Sequence, residues 1–589
     1  MDRIVQTRLY SQLEYFFNKL WREKEQICID GVPAMTSSDV FLPGKVAIGL
    51  SYLLLNTAAD DPQLASHLQR YREIADLTAG MDIQSWGIYY YLLALTQLQK
   101  GGLLERAISP NTLQLLKEKL DWRSFVNESD LTLIKLPTNY YGVAFSAARL
   151  RLMLGWEDES VANQLLDKTL EHYDRYSGEY GFSDETEGEG RFDRYSILLI
   201  AEICQRFVQT GMAVPLRLKK LLRRAADVTL NIANEGGHGF SFGRSIGPYG
   251  DSAAIEILSI AAYLEVLTPD EKLYAYSFAT RSLAKYLEVW FDPKLHSVDM
   301  WGKGRRTDTY RAKHRILGEN FSLLHQFISS NALWNDIGFQ GRQPMPDLQA
   351  WLDRERPAFS LTWFAKGKYD RALAIFRDGA DVFCLPLING GTGQHDNSPY
   401  YPIPFADNIV AGIADSGAAH PQLCPKFLLA DGSELIATSF IRRIKTEDAD
   451  GLHRVSYEQD ALNQLGRLAP VEDTRIQLSS CYEFAPGLIT RIDCYTPATA
   501  LQVTQLSLNF LSFSEGPRQD GPALLFEIGR VISFEVEGLQ LAGADPIRRD
   551  HALDSFESPG GPMKTHLRYA KHGFTFDQPL TIRWSLKYR

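Results

Sequence analysis

The chain has 589 residues, 45% of them hydrophobic and 23% charged, with a net charge of -10. That length exceeds what one hydrophobic core ordinarily serves, so two domains are expected. The acidic balance, with no stripe of Lys and Arg interleaved with aromatics, excludes a nucleic-acid footprint.

From the N-terminus to about residue 355 the pattern is one of helical hairpins. Helices are expected at about 4–24, 44–57, 62–79, 84–101, 110–120, 140–155, 158–175, 191–210, 216–233, 251–267, 269–288 and 311–330. Leu218, Leu221, Leu222, Ala225 and Val228 share one face, while Lys219, Lys220, Arg223 and Arg224 fall on the other, which reads as an outer helix with a solvated basic side. Residues 252–264 are apolar nearly all round, as an inner-ring helix would be. This alternation favours a closed double ring, an α/α toroid. After about residue 360 the period changes to two: Ile582, Trp584, Leu586 and Tyr588 alternate with polar neighbours, and residues 475–484 and 488–495 flank an Ala485-Pro486-Gly487 turn as a hairpin. Further strands are expected at about 371–377, 381–388, 434–444, 501–513, 523–536 and 564–570. The fold class is therefore multidomain α and β, a toroid over 1–357 followed by an antiparallel β-sandwich over 358–589, joined near the Pro- and Arg-bearing stretch 352–357.

No apolar run approaches the roughly 20 residues that span a bilayer, and residues 1–10 carry charges where a secretory signal would need an apolar stretch. The expected location is cytoplasmic, with no membrane partner. Six scattered cysteines without CxxC spacing fit buried thiols, and neither a metal site nor a cofactor is expected.

Three loops rich in glycine, aromatic and polar residues interrupt the helices, at 137–142, 178–196 and 236–250. Each precedes a strongly apolar helix, so the loops are expected to meet at one end of the ring and form the active site. The 236–250 loop offers His238, Arg244, Ser245 and Tyr249; the 137–142 loop offers Asn139, Tyr140 and Tyr141. Plain readings stand beside these, Asn139 as a helix cap and Tyr249 as a packing contact. The middle loop carries Asp184, Glu185, Glu187, Glu189, Arg191, Asp193, Arg194 and Tyr195. Its carboxylates suit a hydrolase acid and base or a hard cation, and equally a solvated loop. In the sheet half, the turn-rich stretch 389–404 holds His395, Asp396, Asn397, Tyr400 and Tyr401, placed to close over a substrate if the sandwich lies across the ring. His314, Glu319 and Asn320 are weaker candidates, expected on a helix surface. There is no P-loop, G-x-S-x-G elbow, H-E-x-x-H or dinucleotide fingerprint.

At these loops the chain resembles the two-domain polysaccharide lyases of the heparinase and alginate lyase type. In Gly243-Arg-Ser-Ile-Gly-Pro-Tyr249 together with Asn139-Tyr-Tyr141 it resembles more closely a family of undefined function with the same architecture. The resemblance implies β-elimination: a proton leaves the carbon beside a uronate carboxylate and the glycosidic oxygen departs. It implies Asn139 and Arg244 as neutralisers of that carboxylate, Tyr249 and His238 as acid or base, and His395 or Tyr400 contributed by the sheet half. Tyr140, Tyr141, Tyr195, Ser245, Asn397 and Tyr400 would hold the sugar. The lyases commonly show His or Asn after the first Asn, where this chain has Tyr140, and the acidic middle loop would repel a long polyanion. A short uronate oligosaccharide is therefore the expected partner. The alternatives are a glycoside hydrolase using two of Asp184, Glu185, Glu187, Asp193 and Asp251, or a non-catalytic carbohydrate-binding protein.

Overall fold

The computed structural model describes the chain except positions 37, 185–187, 189, 191, 244, 303–310, 389–422, 450, 466–469, 548–556 and 559–560. Among the described residues, twelve helices of ten residues or more build the N-terminal part: α1 Tyr10–Glu23, α2 Leu42–Asn56, α3 Leu64–Gly80, α4 Ser85–Lys100, α5 Pro110–Lys119, α6 Tyr140–Met153, α7 Glu159–Ser177, α8 Arg194–Gln209, α9 Leu216–Ile232, α10 Pro248–Tyr263, α11 Pro269–Lys285 and α12 Ile316–Trp334. The even-numbered helices pack side by side in chain order, and α12 meets α2, so they close an inner ring. The odd-numbered helices lie outside them, α7 against α6, α9 against α8 and α11 against α10.

Sequence explains the two layers. α10 is buried along almost its whole length, whereas α7 buries only a stripe that includes Ala162, Leu165, Thr169 and Tyr173. Side-chain caps start several helices: Ser109 before α5, Asp158 before α7, Asp193 before α8, and Thr268 with Glu271 in a capping box before α11. The basic side of α9 is a clamp as well as a wet face. Arg223 pairs with Asp227 and Glu271, Arg224 donates to the Glu179 and Tyr180 carbonyls, and Lys219 donates to the Leu264 carbonyl.

After the short helix Leu348–Glu355 the chain turns to strands. A three-stranded antiparallel sheet, Phe359–Ala365, Arg371–Asp378 and Asp381–Leu387, packs on the ring. Phe364 lies between Phe182 and Phe192, and Arg377 donates to the Asn231 and Ala233 carbonyls at the end of α9. Beyond it, an eight-stranded and a seven-stranded antiparallel sheet share a second core, with Phe510 of one against Phe534 of the other at 4.5 Å and Phe427 against Tyr495 at 5.0 Å. The expected hairpin is present, Ala485 pairing with Leu488 across the Pro486-Gly487 turn. The single strand expected at 434–444 is two, Glu434–Ile436 and Ile441–Ala449, in different sheets, and residues 523–536 divide into Ala523–Leu525 and Val531–Glu537, which pair within one sheet.

Among the described residues no helix is long and apolar enough to cross a membrane, and no cluster of His, Cys, Asp or Glu is arranged to hold a metal ion. No disulfide links the six cysteines.

Candidate active site

Inner helices entered from one side of the ring bring their first turns together. A Cβ built on Gly44 of α2 would lie 2.0 Å from the Gly87 carbonyl oxygen of α4, and the Trp86 and Tyr140 rings meet edge to face at 6.2 Å. Glycine also lets the 236–250 loop fold on itself, since a Cβ on Gly250 would fall 2.1 Å from the Phe240 carbonyl oxygen. The same loop touches the middle loop where Gly243, at φ +75°, lies against the Asp193 side chain. Two of the three loops therefore converge, and the third, at 137–142, meets α4 and α8.

Tyr249 stands at the start of α10, 4% exposed, and its hydroxyl donates to the Glu319 carboxylate. Glu319 is fully buried and ringed by cations: Arg311 Nη1 at 2.6 Å, Arg315 Nε at 3.3 Å and Lys45 Nζ at 3.6 Å. Lys45 and Arg315 also reach Asp39, at 3.5 and 3.6 Å. The Arg311 guanidinium lies 3.7 Å from the Tyr249 ring centroid and donates to Ser245 Oγ at 3.1 Å. Three cations and two carboxylates meet in this described cluster. Burial alone would push the Glu319 carboxyl up, but Arg311, Lys45 and Arg315 outweigh it and hold the group well below the usual range. Burial first, and then the Glu319 charge, raise the Tyr249 phenol well above its usual value despite Arg311. The phenol is thus a proton donor at neutral pH. Ser245 holds φ +53°, a conformation that costs a non-glycine residue energy and persists where surrounding contacts impose it.

The expectation that Glu319 and Asn320 lie on a helix surface is overturned, because both are fully buried. Asn320 is a structural hub, accepting from Gln12 and from the Val298 backbone and donating to Ser297 and the Ile316 carbonyl. Asn139 occupies the cap position of α6 but makes no capping bond; it is 5% exposed and its Oδ1 is buried without a hydrogen-bond partner. Tyr140 faces Trp86, whereas Tyr141 is buried against His172 of α7, in the wall between two helices. Tyr195 lies under the Arg194 guanidinium at 4.6 Å. His238 is separated from Tyr249: it lines a cavity of about 300 Å³ with Asn234, Ser241, Asp381, Cys384 and Arg530, where the ring meets the first sheet. Arg244, His395, Asn397 and Tyr400 lie outside the described residues, as do Glu185, Glu187 and Glu189.

The carboxylates weighed for a hydrolase are largely occupied. Asp184 accepts from the Gly188 and Gly190 amides, Asp193 caps α8, and Asp251 binds Lys285, Trp290 and the Gly239 amide. A different pair stands in the ring wall. Glu202 of α8 lies 3.4 Å from Arg206, whose guanidinium covers Trp86 and Tyr89, and Glu256 of α10 is near enough to feel the Glu202 charge. Burial raises the Glu202 carboxyl, while burial and then the Glu202 charge push Glu256 up to about 8. Two signals for the missed residues were present in the sequence. Lys45 is a lone cation in the apolar run of α2, and Arg315 and Glu319 have the i,i+4 spacing of a helical ion pair.

No family model matches the chain, and no curated relative matches it by sequence. Among solved structures, the Streptomyces coelicolor A3 chondroitin AC lyase in complex with chondroitin sulphate superposes with a TM-score of 0.55 at 10% identity, over 98% of this chain and 79% of that one. Paenibacillus xanthan lyase matches at a TM-score of 0.49 and 10% identity over the whole of this chain and 57% of its own, too loose to carry an argument. At one residue in ten the first likeness speaks to fold and leaves activity open. The chain has the two-part fold of the polysaccharide lyases, an α/α toroid joined to antiparallel β-sheets.

Proposed function

We propose that the protein is a carbohydrate-active lyase that opens a uronate-containing oligosaccharide by β-elimination. The observation that carries this reading is the Tyr249 phenol, held protonated against Glu319 inside the Lys45, Arg311 and Arg315 cluster. Elimination breaks a C–H bond beside the uronate carboxylate and the C–O bond to the leaving sugar, and forms a C=C bond. Charge grows on the carboxylate as the proton leaves, and cationic side chains in a water-poor site stabilise it. The Tyr249 hydroxyl gives its proton to the departing oxygen and its oxygen takes up the proton leaving the carbon, so the phenol is restored as the C=C bond forms. Asn139, buried at the start of α6, is the neutraliser for the carboxylate itself, through its side-chain N–H. On the same reading Tyr140 contributes to the sugar-holding wall beside Trp86.

Tyr249→Phe removes the proton and keeps the ring under Arg311. Turnover of uronate oligosaccharides should fall by about 100-fold or more, while the fold stays native by circular dichroism and the melting temperature drops as the bond to Glu319 is lost. Near-native kinetics in this variant would reject the assignment.

A second reading, a glycoside hydrolase, is favoured by Glu256 and Glu202, a protonated carboxyl beside a second carboxyl group. The two readings part in product and in pH. A lyase yields an ultraviolet-absorbing conjugated double bond and takes no oxygen from labelled water, and its phenol donor stays protonated across pH 8. A hydrolase incorporates the label, and its rate falls as pH rises through about 8, where Glu256 gives up its proton.

A further inference from the structure

A cavity of about 690 Å³ opens where the last turn of α7, residues 178–180 and Asp184, Gly188, Gly190 and Phe192 meet the strands Phe359–Ala365 and Arg371–Asp378. None of its lining residues belongs to the Tyr249 and Glu319 cluster, which is built from α2, α10 and α12. Aromatic faces make much of its wall: Tyr176, Tyr180 and Tyr369 are partly exposed, and Phe192, Phe364 and Phe440 close the floor. Phe192 and Phe364 are stacked at 5.4 Å, and Tyr180 is stacked on Trp363.

Charge distinguishes the rim from the chain as a whole. The protein carries a net charge of -10, yet the charged groups among the described lining residues are four cations, Arg175, Lys366, Lys368 and Arg371, against Glu179 and Asp184. Their parts differ. Arg371 is buried and donates to the Gly190 and Asp370 carbonyls, and Asp184 accepts from Gly188 and Gly190, so both shape the pocket. Lys366 and Lys368 are exposed at its edge, Lys366 over the Trp363 ring at 4.0 Å and Lys368 over Tyr369 at 4.9 Å and 3.2 Å from Glu472. Tyrosine faces stack on the C–H side of a pyranose ring, and cations fixed over aromatic rings beside them select an acidic substituent. The volume lies within the roughly 300–1,000 Å³ typical of ligand pockets.

We propose that this cavity is a second saccharide-binding site, which stacks a short acidic sugar on Tyr176, Tyr180 and Tyr369 and pairs its carboxylate or sulfate with Lys366, Lys368 and Arg175. The proposal extends the carbohydrate reading above but uses none of the residues assigned to the reaction. It gives the protein a hold on an acidic chain away from the bond being broken.

The test is calorimetric titration of the full chain, in the Tyr249→Phe background to prevent turnover, with a chondroitin sulfate tetrasaccharide and with uncharged maltotetraose. The acidic tetrasaccharide should bind saturably and more tightly than maltotetraose. The Lys366→Glu, Lys368→Glu pair and, separately, Tyr180→Ala should each weaken it about tenfold or more with melting temperatures unchanged. Equal affinity for the two sugars, absence of saturable binding, or an affinity untouched by the lysine pair would overturn the proposal. Lysine-dependent binding by a native chain that makes no unsaturated product would sink the elimination reading and leave this one standing. Normal product formation with binding indifferent to the lysine pair would do the reverse.

Discussion

The side chains that decide the candidate site are charged groups in places where charge is expensive. A carboxylate with no exposed surface survives at Glu319 because three cations and a phenol surround it, and removing one partner of such a set costs more than the set itself contributes. Glu256 shows the opposite balance: burial and the neighbouring Glu202 raise its carboxyl to about 8, so it favours the folded state while protonated. Its folded value lies above the unfolded one, so this contribution is complete below about pH 4.5 and is lost as pH rises through about 8. Glu256→Gln should therefore stabilise the protein at pH 8.5, by on the order of 2 kcal/mol, and leave it unchanged at pH 4. Thermal melts at the two pH values check this, and equal shifts at both would refute it. Tyr249 was legible as a candidate from its place after Gly247-Pro248. Its partner Arg311 was not, and Glu319 was read only as a weaker candidate on a helix surface, because nothing in a linear chain announces that α10 and α12 are neighbours in a ring.

At the scale of elements, the ring depends on how closely its inner helices approach. Gly44 and Gly87 let α2 and α4 touch backbone to backbone one residue from Lys45, so packing and site chemistry share a contact. Gly44→Ala should force the helices apart and cost at least about 2 kcal/mol, seen as a lower urea midpoint at unchanged slope. A midpoint within error of native would show that the contact relaxes freely. All twelve helices were readable from periodicity and caps, since an amphipathic stripe or an apolar cylinder is a local property. Strand breaks were harder to read. The division of 434–444 between two sheets follows from a change of partner at Phe440, where φ is +67°, and alternation alone does not encode partners. The basic face of α9 was read as solvated because a charge row looks the same whether it faces water or a neighbour's carbonyls.

The molecule as a whole is held at the junction of ring and sheets by a few directional contacts around aromatic packing. Arg377 reaches from the first sheet to the two carbonyls at the end of α9, where the helix presents its negative pole. Arg377→Met keeps the buried stem and deletes both bonds. Calorimetry should then show the native unfolding transition broaden or split as ring and sheets lose cooperation, with a loss of about 2–3 kcal/mol. A single transition at the native temperature would mean the aromatic contacts suffice. The amino-acid sequence by itself determined the toroid followed by antiparallel sheets and the polar loops that precede apolar helices, because periodicity, caps and turn residues act over a few positions. Only the tertiary structure decided which loops touch, that His238 and Tyr249 face different spaces, that Glu202 and Glu256 form the carboxyl pair, and that Lys45, Arg311 and Arg315 gather on Glu319. The decisive ones, Lys45 and Tyr249 on Glu319, join residues 274 and 70 positions apart, and ring closure sets them by bringing the first inner helix against the last.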